Sequence, residues 1–363
     1  MHIEKLSLFN FKNYEDVTLN FSEKVNCLVG VNGSGKTNIL DAIYYLSLTK
    51  SAFNNIDSQN IRFGESIFSI KGNFKLENKT YEIVCAFQEG SKKTFKANKK
   101  DYEKLSEHVG RFPVVLIAPN DVDVIREGSE ARRKFFDTIL CQLDSSYLET
   151  LSKYNQYLRQ RNSALKKFAF IGRVDYDLIN TYDDQLLKLG KDIFLKRAAF
   201  IRGFLMLFQQ HYIQISQGKE EVNIIYRSEW LQDDFVAQFK ASIKKDLALE
   251  RTSMGIHRDD YRLIISGKPI KKFASQGQQK TYLVALKMAH FDTIAGLKDF
   301  KPILLLDDIF DKLDDERIRK LMEMITGHQF GQVFITDARR DRTEQLLATF
   351  NLPAQIITLP LAK

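Results

Sequence analysis

Gly30-Val31-Asn32-Gly33-Ser34-Gly35-Lys36-Thr37 decides the fold. It matches GxxxxGK[ST] in full, and it stands between a short apolar run at 27–29 and a segment with Ile39, Ala42, Ile43 and Leu46 at helical spacing. That context predicts a strand, a glycine-rich loop and a helix N-terminus in succession. Glycines let successive backbone N–H groups turn inward around phosphate oxygens, and the helix dipole adds a favourable field. The predicted phosphate cradle comprises Gly30, Asn32, Gly33, Ser34, Gly35, Lys36, Thr37 and Asn38. Lys36 reaches the β and γ phosphates, and the Thr37 hydroxyl is placed to ligand Mg²⁺.

A second element, Ile303-Leu304-Leu305-Leu306-Asp307-Asp308, is an apolar strand ending in two carboxylates. Buried in a parallel sheet, such a strand delivers its terminal acid beside the phosphate loop, where Asp307 binds Mg²⁺ through water. Asp308 then faces the γ phosphate, to accept a proton from the attacking water or to orient it. The two elements together define a Mg·ATP site. A third element, Ala274-Ser275-Gln276-Gly277-Gln278-Gln279-Lys280, precedes an apolar helix with Leu283, Val284, Leu286 and Ala289. Ser275 and the Gly277 N–H at that helix N-terminus suit a second phosphate face. The plainer alternative makes Ser275 a helix N-cap and Gly277 a loop glycine.

Around these elements the 363 residues suffice for roughly two domains of about 150 residues. Alternating residues such as Ile3, Leu6 and Leu8, and the runs at 68–74 and 81–87, predict half-buried strands in a mixed sheet. From 121 to 268 there is no proline, and apolar residues recur at three- and four-residue steps, from Phe135 to Leu158 and again from Tyr182 to Gln210. The expected architecture is therefore an α/β P-loop ATPase head, with mixed sheets around the phosphate-loop helix, in two parts, 1–120 and 251–363, with an inserted helical lobe at 121–250. No sustained heptad supports a long coiled-coil arm. The hydrophobic (44%) and charged (28%) fractions are those of a globular chain, and no apolar run approaches the ~18 residues of a membrane span. The charged N-terminus does not read as a secretory leader, so a cytoplasmic protein without a membrane partner is expected. Cys27, Cys85 and Cys141 show no metal spacing and are expected to be reduced core residues.

The order of elements resembles the ABC-type ATPase head: phosphate loop, helical insertion, signature loop, acidic strand, switch strand. The details are similar to the RecF family of bacterial DNA repair ATPases. They are Asn10-Phe11-Lys12-Asn13-Tyr14, Asn32 to Asn38 followed by Asp41-Ala42-Ile43, Lys50-Ser51, Arg132-Arg133-Lys134-Phe135-Phe136-Asp137, Gln160-Arg161-Asn162, Gly255-Ile256-His257-Arg258-Asp259-Asp260, Gln276-Gly277-Gln278-Gln279-Lys280 and Leu306-Asp307-Asp308. Gln160-Arg161-Asn162 and His257-Arg258-Asp259-Asp260 are the segments that transporter ATPases lack. The resemblance implies an SMC/Rad50-like head without the long arm. Two chains would pair head to tail around two ATP, with Ser275, Gly277 and Gln278 of one capping the γ phosphate held by Lys36 of the other. It further implies duplex and gapped-DNA binding, weak DNA-stimulated ATP hydrolysis, and work with RecR and RecO to load RecA.

Ile256 stands where the family usually has proline and Asn120 where it usually has an acid, and the switch strand Phe334-Ile335-Thr336-Asp337 lacks the histidine of transporter ATPases. Thr336 or Asp337 is then the candidate γ-phosphate contact on that strand. The ATPase subunit of a membrane transporter is the rival function. The net charge of +8 and the whole-chain resemblance favour DNA repair. Candidate phosphate-contacting residues are Arg159, Arg161, Lys166 and Lys167, followed by Lys188, Lys191, Lys196 and Arg197.

Overall fold

The computed structural model describes residues 1–54, 56–311, 315–327 and 330–360. Strands β1 (His2–Phe11), β2 (Tyr14–Asn20) and β3 (Val25–Gly30) lead into helix α1 (Lys36–Leu48), and β4 (Ile67–Leu76), β5 (Lys79–Gln88), β6 (Thr94–Ala97), β7 (Lys100–Asp101) and β8 (Val114–Ile117) follow. Next come α2 (Asp123–Arg126), α3 (Ser129–Leu143), α4 (Ser145–Ile171), α5 (Tyr176–Ser216), β9 (Val222–Arg227), α6 (Phe235–Ala241), α7 (Ile243–Leu249), β10 (Asp260–Ile265), β11 (Lys268–Pro269) and α8 (Ile270–Phe273). The chain finishes with α9 (Gln276–Leu297), β12 (Ile303–Leu306), α10 (Asp315–Thr326), β13 (Val333–Asp337), α11 (Arg340–Thr349) and β14 (Ala354–Leu359). Two compact units result, Met1–Val122 with Gln276–Lys363, and Asp123–Ser275.

The first unit holds two sheets around the phosphate-loop helix, in keeping with the expected head architecture. An antiparallel sheet runs β2-β1-β4-β5-β6-β7, and a parallel sheet runs β14-β3-β13-β12-β8. Helix α1 lies in one core with both, its Ile39, Leu40, Ile43 and Leu46 clustering with Ile3, Leu6 and Ile70 and with Leu28, Leu305 and Phe334. A helix packed from two sides is apolar nearly all round, which is why α1 lacks a polar face. The four residues of β12 are wholly buried, as a central strand of a parallel sheet requires. Gln332 joins the sheets, accepting from Ile3 N–H and donating to Ile3 O, both at 2.8 Å. His108 is also fully buried, with Nε2 2.6 Å from Leu46 O of α1 and Nδ1 3.0 Å from the Tyr102 hydroxyl.

The second unit corrects two expectations. The lobe ends at Ser275 rather than 250, because β10 pairs antiparallel with β9, from Asp260 opposite Arg227 to Ile265 opposite Val222. Those backbone bonds commit β10 to the lobe, in a three-stranded β11-β10-β9 sheet. Arg161 is also not a surface cation. It is completely buried on α4, with Nε 2.6 Å from Asp183 and Nη1 2.7 Å from Asp246 and 2.9 Å from Thr252 Oγ1. Arg197 is likewise buried, bonded to Asp137, Asp259 and the Ile256 carbonyl. Ile256 itself is buried in the lobe. Lys196 is paired with Asp144, whereas Arg159, Lys166, Lys167, Lys188 and Lys191 are exposed. The first helical run is two helices, broken at Asp144, whose carboxylate caps α4 by accepting from Ser146 and Tyr147 N–H. Helices α4 and α5 pack against each other as a hairpin. All three cysteines are buried and free. Among the described residues no helix is long and apolar enough to cross a membrane.

Removing one partner of a buried ion pair strands the other charge, so Arg161→Ala should cost about 3–5 kcal/mol in urea unfolding, whereas Lys167→Ala stays within about 0.5 kcal/mol. Burial pulls the His108 pKa down to about 4, so it folds neutral. Its contribution is complete above pH 6.5, where the unfolded chain is neutral too, and is lost as the pH falls towards 4. Unfolding free energy measured against pH should fall over that window, by up to about 3 kcal/mol from this residue, and the fall should shrink in His108→Gln.

Candidate nucleotide-binding site

Two glycines make the loop between β3 and α1 possible. A Cβ on Gly30 would lie 2.3 Å from Leu359 O, and one on Gly35, at φ 100°, would lie 2.5 Å from the Tyr14 hydroxyl. The β1–β2 turn therefore walls the loop. Tyr14 OH donates to Ser34 O at 3.4 Å, and Asn38 Nδ2 donates to Asn13 Oδ1 at 2.7 Å. Burial raises the Tyr14 phenol above its ordinary range, so it stays a donor. One residue before this pair, Lys12 Nζ donates to Asp41 on α1 at 2.5 Å, and Ser51 Oγ donates to the same carboxylate at 2.6 Å. The roles of Asn13, Tyr14, Lys12 and Ser51 were not deduced from sequence. They appeared there only as members of motifs, and the sole local signal was polar residues crowding a tight turn.

Asn32, Gly33, Gly35, Lys36, Thr37, Asn38, Pro119 and Asp308 line a cleft of 420 Å³. Six of the eight predicted loop residues and Asp308 thus come together, and Pro119 joins them. Gly30 stands behind, its carbonyl accepting from Lys36 Nζ at 2.7 Å, with Val31 O accepting at 3.1 Å. The Ser34 hydroxyl is buried near Gly30 and Ser34 does not line the cleft. Gly277 and Gln278 occupy the first turn of α9 and do not line it either. Ser275 is exposed and is the last residue of the second unit.

The acidic end of β12 is held by hydroxyls. Thr37 Oγ1 donates to the Asp307 carboxylate, 2.9 and 3.0 Å from its two oxygens, and Thr336 Oγ1 donates to Oδ1 at 2.9 Å. Because β13 lies between β3 and β12, Thr336 reaches Asp307 from the neighbouring strand. Its hydroxyl also accepts from the Asp308 N–H at 2.8 Å, fixing a residue in the left-handed region at φ 45°. Thr336 is wholly buried, so it positions both acids rather than facing the cleft. Asp337 is engaged elsewhere, accepting from Arg342, Thr343 Oγ1 and the Arg339 N–H. Burial alone would raise its pKa, but these partners hold it below the usual carboxylate range. Of the two γ-phosphate candidates on the switch strand, then, neither side chain is free for that role. Burial raises the Asp307 carboxyl, with the charge of Asp308 adding to the effect and the two threonine hydroxyls opposing it. The charge of Lys36 also opposes the rise. Thr37 and Asp307 supply the few hard oxygen ligands that suit Mg²⁺, which keeps several waters and takes the rest from phosphate.

His257 is a lobe residue, its Nδ1 3.0 Å from the Tyr154 hydroxyl and its Nε2 3.2 Å from Thr252 O. Burial lowers its pKa to about 4, and it serves packing.

A family model described as RecF/RecN/SMC N terminal domain matches residues 2–355. The DNA replication and repair protein RecF of Flavobacterium johnsoniae is 46% identical over 99% of this chain and 100% of its own. Among solved structures, the recombination mediator protein RecF-ATP of the RecFOR pathway superposes with a TM-score of 0.85 at 28% identity, covering 94% of this chain and 95% of that one. The Smc head domain of Pyrococcus furiosus, at 18% identity, TM-score 0.55 and coverage of 98% and 93%, shares the fold. With the phosphate loop, the acidic strand and the ABC-type head all in place, the chain belongs to the RecF family of P-loop ATPases.

Proposed function

We propose that this chain is an ATP-gated DNA-binding ATPase of recombinational repair, in which two copies pair head to tail around two ATP. The observation that carries the proposal is a cleft that gathers Lys36, Thr37 and Asp308 beside Asp307 yet is not lined by the α9 signature residues Gly277 and Gln278. A second copy would supply Ser275, Gly277 and Gln278 to the γ phosphate. Bound Mg²⁺, held by Thr37 and, through water, Asp307, would neutralise charge on the β and γ phosphates. Lys36 would exchange its carbonyl partners Gly30 and Val31 for phosphate oxygens. Asp308 would orient the attacking water or take its proton, with Thr336 holding both acids in place. Hydrolysis would remove the group that joins the copies and shift the population back to single chains.

The repair role is supported by relatives named for DNA replication and repair and for recombination mediation in the RecFOR pathway, and by the +8 charge. RecR and RecO as partners, and RecA loading as the outcome, belong to the same proposal. Exposed Arg159, Lys166 and Lys167 would contact phosphates, giving affinity without sequence preference. Titrating a fluorescent duplex with and without Mg·ATP tests it. Binding should appear with ATP, and binding that is absent or indifferent to nucleotide overturns the proposal.

Substitutions should separate the roles of the site. Lys36→Met should abolish binding of a fluorescent ATP analogue. Asp308→Asn should bind it normally while phosphate release falls about 100-fold, within the range general-base catalysis contributes. Thr336→Val keeps the side chain's shape but leaves Asp308 N–H and one Asp307 oxygen without their partner. It should lower kcat about 10-fold or more with little change in KM, and Thr336→Ser should restore it.

A further inference from the structure

We infer that the outward face of α4 is a track for single-stranded nucleic acid, ending in Phe170 as a platform on which an unpaired base stacks. This deepens the DNA-binding proposal above and rests on it. Residues 150–174 contain no Asp or Glu. Arg159, Lys166, Lys167 and Phe170 recur at helical spacing on the side of α4 opposite its buried stripe of Tyr154, Arg161, Leu165 and Phe168. Arg159 and Phe170 are about 16 Å apart along the axis at 1.5 Å per residue. Arg173 follows the helix and is exposed.

The cations are available. Lys196 and Lys240 of the same lobe are paired with Asp144 and Asp184, whereas Arg159, Lys166, Lys167 and Arg173 hold no ion pair among the described residues. The nearest carboxylate in sequence beyond the hairpin turn, Asp175, is occupied in capping α5 through the Leu178 N–H. Phe170 does no packing. It is 92% exposed, while Phe168, two residues earlier, fills the core with Ala164, Leu165 and Ile179. A bare aromatic ring at the end of an unpaired cation track matches a strand whose phosphates are held electrostatically and whose bases offer a free π-face. In a blunt duplex the bases are already stacked, and the ring adds little.

The test measures binding of the full chain with Mg·ATP to labelled oligo-dT and to a blunt duplex across a salt series. Phe170→Ala should weaken oligo-dT about 10-fold and leave the duplex within about twofold, with Phe170→Trp restoring the first. Lys166→Gln with Lys167→Gln should weaken both probes and reduce the salt slope on oligo-dT by about 1.4. All three positions are exposed, so unchanged thermal unfolding is expected. Oligo-dT binding unaffected by Phe170→Ala, which would leave the ring as a protein-docking feature, overturns the inference, as does equal loss on both probes. A wild-type chain that binds duplex but not oligo-dT defeats the track while leaving the repair function standing, and one that binds neither defeats both.

Discussion

The Asp307 carboxylate sits at the meeting point of three elements, accepting from Thr37 at the head of α1 and from Thr336 on β13 while itself ending β12. This one acceptor ties the phosphate loop to the acidic strand. Because it is buried, its negative charge is costly unless donors or a cation offset it, and two hydroxyls and the nearby Lys36 offset it only in part. In the proposed function a divalent ion would offset more of that charge. The Thr336 contact also explains why Asp308 can stand at a backbone angle that a side chain seldom adopts, since the same hydroxyl holds its N–H.

Much of this was legible in the sequence because the signals were local. The glycine pattern requires a tight turn at a helix N-terminus, and an unbroken run of Ile and Leu ending in two acids fits a central parallel strand beside it. What stayed hidden depended on pairing between distant segments. Nothing near Val222–Arg227 tells that it will pair with Asp260–Ile265, so the lobe boundary fell too early. Thr336 reads in the sequence as a candidate γ-phosphate contact, whereas its hold on the two acids depends on which strand lies next to β13.

Arg161 illustrates a different limit. A basic residue in a basic segment suggests a polyanion contact, yet Arg161 lies on the same helical stripe as Tyr154, Leu165 and Phe168, all buried. Projecting the helix would have placed it inside. Both Gln160-Arg161-Asn162 and His257-Arg258-Asp259-Asp260 are tied into the lobe: Asn162 Oδ1 accepts from Thr252, Arg161 reaches Asp246 and Thr252, Arg197 holds Asp259, and Arg132 holds Asp260.

The claim on which the functional account turns is that each chain carries half of a nucleotide site. The most direct test is the solution mass of the full chain by light scattering in Mg·ATP and in Mg·ADP. Paired half-sites predict a mass that doubles with ATP and returns to that of one chain with ADP, with Asp308→Asn holding the doubled state. A mass that is the same with both nucleotides contradicts them.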